Sequence, residues 1–166
     1  MEILDEATYQ LWAENVFFEL LKNISNENFT NKAGFSKSLQ EIYFHKYEVM
    51  WSWFTLLIVK NSKRFGENPL GTPDFDTLNK SDFISEALKL FEQFLDYVKT
   101  NKNTSITLDV DWLSKPYSVT NHEIIYNILN HLSYHRGQSA FLFKKFGLEV
   151  PETDYNPYFY QLHNLH

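Results

Sequence analysis

The sequence predicts an all-α protein, a four-helix bundle with long connections. Three observations carry this reading: four segments repeat apolar residues at three-and-four spacing, two of them open on matched capping pairs, and a Pro- and Gly-rich stretch separates the middle two. The 166 residues are 43% hydrophobic and 17% aromatic, enough to enclose one sizeable core, so 1–166 reads as a single domain.

The first helix is expected to start at Asp5, whose carboxylate can cap free amides, with Leu4 and Tyr9 flanking it as a hydrophobic staple. Trp12, Val16 and Leu20, with neighbouring Phe17 and Leu21, form its buried stripe, and it fades near Asn23 to Asn28. The second helix starts at Ser36 or Ser38, the latter with Glu41 three residues on. Leu39, Ile42, His45, Val49, Ser52 and Leu56 then share a face. It runs to about Phe65 before Gly66, about 28 residues and roughly 42 Å long.

The stretch GENPLGTPDFDTLNKS contains Pro69 and Pro73 and reads as a loop. About 15 extended residues can reach roughly 50 Å, so this connection can return along the bundle and set helices 2 and 3 parallel. The third helix follows Ser81 or Asp82, with Phe83, Ile84, Ala87, Leu88, Phe91, Phe94, Leu95 and Val98 inward, and ends between Lys99 and Asn103. Ser105 to Val110 alternates apolar and polar residues as a short extended piece, followed by a turn at Lys115 and Pro116. The fourth helix has the clearest start: Thr120 and Glu123 make a capping box, with Val119 and Ile124 as staple. Ile124, Ile128, His131 or Leu132, His135, Ser139 and Leu142 face inward until Lys144, Lys145 and Gly147. The tail from Pro151 to His166 is aromatic-rich, and Tyr155, Tyr158, Phe159 and Tyr160 are expected to pack over the bundle as irregular chain.

Composition narrows the function. The net charge is −6 with basic residues dispersed, which argues against nucleic acid and anionic membranes as partners. No cysteine is present, which excludes disulfides, thiolate metal sites and a cysteine nucleophile. The acidic, amphipathic start MEILDEATYQLW is unlike a secretory signal, and the apolar run around Trp51 to Val59 is shorter than a bilayer span. A cytoplasmic location is the expectation. No phosphate cradle or dinucleotide fingerprint occurs.

The histidines are the feature that needs a reason. His131 and His135 lie one turn apart on helix 4, and His45 lies between Ile42 and Val49 on helix 2. Together they can hold one divalent metal ion and leave a position for water or substrate. The spacing also suits histidines used as core or cap residues, so both readings stand. Leu132 occupies the place where a zincin motif puts its catalytic glutamate, and that mechanism is unsupported. Glu48, one turn from His45, is a weak catalytic candidate: a base, a fourth ligand or an outer-sphere carboxylate, or an ordinary surface residue. Arg136 is suited to pair with a carboxylate of another helix, Gly137 to permit close helix contact, and Gln138 to orient an imidazole. His122 reads as solvated, and His163 and His166 as poor ligands near the chain end. Trp51, Trp53 and Phe54 read as packing, and Tyr126 and Tyr134 as core or interface residues that could reach a pocket.

The stretch NHLSYHRGQSAFLFKKFGLEVPETD, Asn130 to Asp154, with YQLWAEN from Tyr9 and SLQEIYFHKYEVMW from Ser38, resembles the DinB/YfiT-like superfamily, which includes bacillithiol transferase-like members. The resemblance implies a four-helix bundle of unusual helix order, commonly dimeric, with a divalent metal on His45, His131 and His135, zinc or nickel foremost. His45 stands in more aromatic and charged surroundings than is usual there, and the linker before helix 4 lacks a frequent glycine. No ligand is missing.

Two functions follow. In one, the metal acidifies a bound water or an external low-molecular-weight thiol for hydrolysis of, or transfer to, a small electrophile. In the other, a noncatalytic metal-stabilised protein serves a stress-response or small-molecule-binding role.

Overall fold

The computed structural model describes residues 2–62 and 74–164. Helix α1 spans Ile3–Asn23, two residues earlier than expected. The Glu2 amide donates to Asp5 Oδ2 at 3.3 Å, so Asp5 lies inside the first turn and the Leu4–Tyr9 staple has no cap to flank. Its buried residues include Ala7, Gln10, Ala13 and Glu14 with the expected Phe17 and Leu21, whereas Trp12, Val16 and Leu20 are half-buried. A short α2, Asn26–Thr30, capped by Ser25, follows where the first helix was expected to fade.

Helix α3 spans Leu39–Val59. The expected box forms: the Glu41 amide donates to Ser38 Oγ at 3.2 Å and the Ser38 amide to Glu41 Oε2 at 2.7 Å. The helix stops well short of Phe65, because Lys60 adopts a left-handed conformation (φ 53°, ψ 31°) while its amide still donates to the Leu56 carbonyl at 2.8 Å. Glycine usually takes this role, so the sequence offers little warning of the stop. Phe65, Gly66, Pro69 and Pro73 lie outside the described residues. The connection re-emerges in a 3-10 turn, Phe75–Thr77, that buries Phe75.

Helix α4 spans Lys80–Thr100 and is capped by Asn79, whose Oδ1 accepts from the Asp82 amide at 3.0 Å, rather than by Ser81 or Asp82. The expected extended piece is half of a hairpin. Strand β1, Ser105–Leu108, pairs antiparallel with β2, Tyr117–Thr120, in the register Ser105 to Thr120. Ile106, Leu108 and Val119 point into the core. Thr120 ends β2 and caps α5, Asn121–Lys145, through its bonds with Glu123. Gly147, at φ 81°, turns the chain away beyond it. The tail is helical where irregular chain was expected: α6, Tyr155–Leu162. It takes up Trp12, whose Nε1 donates to Gln161 Oε1 at 2.7 Å and whose ring lies 5.4 Å from Tyr158. This packing explains why the α1 core face is rotated away from Trp12.

Ring contacts settle the direction of the helices. Phe44 meets Phe83 at 4.9 Å and Phe54 meets Phe94 at 5.6 Å, and Tyr97 donates to the Leu57 carbonyl, so α3 and α4 run parallel as expected. Gln10 bonds Ser133, and Phe17 meets Phe143 at 6.0 Å, so α1 and α5 run parallel to each other. Phe18 against Tyr43 and Glu14 against Lys46 set α1 antiparallel to α3. The result is an up-down-down-up bundle in which α5 packs along α3. Among the described residues, no helix is long and apolar enough to cross a membrane.

Candidate metal centre

Because α3 and α5 run in opposite directions, side by side, the first half of α3 passes the middle of α5. His45 on α3 therefore meets the two histidines that α5 presents on successive turns. Ring centroids lie 5.3 Å apart for His45 and His131, 5.0 Å for His45 and His135, and 4.4 Å for His131 and His135. One nitrogen from each ring lies within 4.8 Å of the other two. Two nitrogens bound to one tetrahedral zinc at ~2.1 Å stand roughly 3.4 Å apart, so modest ring rotation closes this set on an ion.

The electrostatics suit a cation. Burial, then the neighbouring His135 and His45, lower His131 to a pKa of about 4. Burial likewise lowers His45, with Lys37 adding to it, and lowers His135 against the opposing hydrogen bond it donates to Gln138. All three rings are therefore neutral at neutral pH and keep a lone pair for a ligand bond. His131 Nε2 is buried with no hydrogen-bond partner among the described residues. Such a group costs about 1–3 kcal/mol left unmet, and a metal ion would satisfy it. His135 Nδ1 donates to Gln138 Oε1 at 2.8 Å, which leaves its Nε2 as the free donor atom. The residues present fit a divalent ion.

The remaining candidates separate. Gln138 contacts His135, as anticipated. Arg136 turns from the histidines to α1, bonding Gln10 Oε1 at 2.6 Å, Tyr9 Oη at 3.3 Å and Glu14 Oε1 at 3.4 Å. It pairs with a carboxylate of another helix and touches no imidazole among the described residues. Glu48 is exposed and outside the three-nitrogen set, lining a hollow beside His45 with Asp76. Burial, then Asp76 and Asp74, raise its pKa above the ordinary glutamate value. Gly137 is exposed, and a Cβ there would meet nothing within 4 Å among the described residues, so no close helix contact among them explains it. His122 is half-buried and outside the cluster, His163 is exposed, and His166 lies outside the described residues. Trp51 and Phe54 are core residues, and Trp53 packs against that core.

Two site neighbours are absent from the sequence reading. Glu14 and Lys46 are fully buried and form an ion pair at 2.5 Å. The available signal was a charged residue set within each apolar face: Glu14 one turn before Phe17 and Phe18, and Lys46 between Ile42 and Met50.

The DinB family model matches residues 4–162. The chain belongs to the DinB family. Its match runs from the first turn of α1 to the end of α6, so every element that builds the histidine cluster lies within it. Comparison with curated proteins gives no match.

Proposed function

We propose that this DinB-family protein binds a divalent ion, zinc or nickel, through His45, His131 and His135 and acts on a small electrophilic compound there. The observation that carries the reading is three neutral imidazoles converging from two helices around a buried nitrogen that has no partner among the described residues. Such an ion, when bound, would acidify a water or thiol at its remaining position. With no cysteine in the chain, a transfer reaction takes its thiol from a small molecule. Gln138 holds the tautomer of His135, and Glu48, beside His45, stands as the nearby proton acceptor, its basicity raised by burial and neighbouring carboxylates.

The decisive experiment is elemental analysis of untagged protein, alongside His45→Ala, His131→Ala and His135→Ala. Near-stoichiometric metal in the parent and its loss in each variant supports the site; retention in all three rejects these ligands. Consumption of an electrophile that requires both metal and added thiol identifies transfer, and consumption without thiol identifies hydrolysis. Bound metal with neither activity assigns a noncatalytic role. A homodimer belongs to the same reading: the outer face of α5 carries exposed Tyr126 and Tyr134 beside Gly137, where open space would admit a second helix. Light scattering tests it.

A further inference from the structure

Beside the histidines, the segment before α3 and the second half of α5, Tyr134 included, line a half-open cavity of about 470 Å³, within the range of small-molecule sites. Its floor is Ile42 and Leu142, and its inner wall is His135 and Gln138. Phe35 and Phe141 also line it, their rings edge to face at 5.1 Å and 83°. Both rings remain substantially exposed, at 41% and 57%. Lys37 lines this cavity and also the hollow on the far side of His45.

We propose that the cavity binds a small organic anion with a flat apolar body, its charged group facing Lys37 and its body against Phe35 and Phe141. Two exposed rings at right angles offer both a face and an edge to a flat partner, and covering them removes apolar surface from water. Lys37 has no carboxylate partner among the described residues, and the nearby Glu41 is already held by Lys32 at 3.0 Å. Lys37 shares one hollow with His135 and the other with His45, so its ammonium stands beside the histidine cluster. A fixed cation beside a cation site is repulsive on its own. An anion seated between the two removes that repulsion. The proposal names the substrate class of the site described above and rests on that reading for its catalytic meaning; binding in the cavity is measurable with or without an ion.

The test is calorimetric titration of the full chain, zinc-loaded and chelator-treated, with naphthalene-2-sulfonate, a poor metal ligand, and with its neutral analogue 2-naphthalenemethanol. Parallel titrations use Lys37→Gln and Phe141→Ser, both at exposed positions, with unchanged circular dichroism as the folding control. The sulfonate is expected to bind roughly tenfold tighter than the alcohol, one well-placed charge being worth about 1.4 kcal/mol. That preference collapses in Lys37→Gln. Phe141→Ser weakens both probes, and the order of affinities is the same in chelated protein. Absence of sulfonate binding, equal affinity for the two probes, or a preference that survives Lys37→Gln overturns the proposal. Failure of the protein to retain zinc, with probe binding intact, overturns the metal reading and leaves the cavity assignment standing.

Discussion

Lys46 and Glu14 form an ion pair at 2.5 Å with neither side chain exposed to water. Lys46 follows His45 in α3, and Arg136, next to His135 in α5, reaches the same carboxylate at 3.4 Å. One glutamate of α1 thus gathers the two helices that carry the three histidines. Tyr47 also donates to that carboxylate at 3.1 Å, so its lone pairs are widely used.

Removing Glu14 leaves two buried cations with no counter-charge. Glu14→Gln is expected to destabilise the protein by about 3–5 kcal/mol, read by urea unfolding. The double variant Glu14→Leu with Lys46→Met should recover part of that loss, because it removes one of the two buried cations and leaves Arg136 bonded to Gln10 and Tyr9, with the Tyr47 hydroxyl losing its acceptor. Equal stability of Glu14→Gln and the parent would show that the triad carries no net burden.

Gln138→Leu removes the acceptor that fixes His135 in one tautomer. Metal affinity is expected to fall by about 10–100-fold, while the midpoint of metal-free unfolding changes little. Competition with a chromogenic chelator gives the first quantity. Gln138→Glu, which keeps an acceptor oxygen, should restore binding.

The depressed His131 pKa makes metal-free stability depend on pH. The unfolded chain takes up its proton near pH ~6.5, but the folded ring does so only at about 4. Between these values the unfolded state holds more protons, so the contribution of His131 is full above ~6.5 and is lost as pH falls toward the folded value. Urea unfolding of chelated protein across this window should give a smaller slope with pH in His131→Leu. An unchanged slope would remove His131 from the account.

Gly137 reports on assembly. An isolated helix gains roughly 1 kcal/mol when an exposed glycine becomes alanine, and nothing within 4 Å opposes the new methyl among the described residues. If Gly137→Ala stabilises the protein and leaves its mass in light scattering unchanged, α5 is free on that side. If the variant shifts toward monomer, a second chain approaches there.

Local signals were the most legible. The Ser38–Glu41 and Thr120–Glu123 boxes are bonds between residues three apart, and both form where the sequence places them. His131 and His135 share a face by the same short-range geometry, and the length of the second connection allowed the parallel α3 and α4. Strand β2 was missed because YSVT is short and its partner lies across a loop; pairing is a non-local event. On α1 the expected Phe17 and Leu21 are core residues, but Trp12, the largest apolar residue there, serves the tail helix instead of the bundle core.

Residue order and spacing alone settled which side chains each helix could offer: capped starts, apolar stripes and a histidine pair one turn apart. Whether His45 would meet that pair, and whether Glu14 would lie between Lys46 and Arg136, depended on how α1, α3 and α5 cross. Those crossings come from packing among residues tens of positions apart, which no local periodicity encodes.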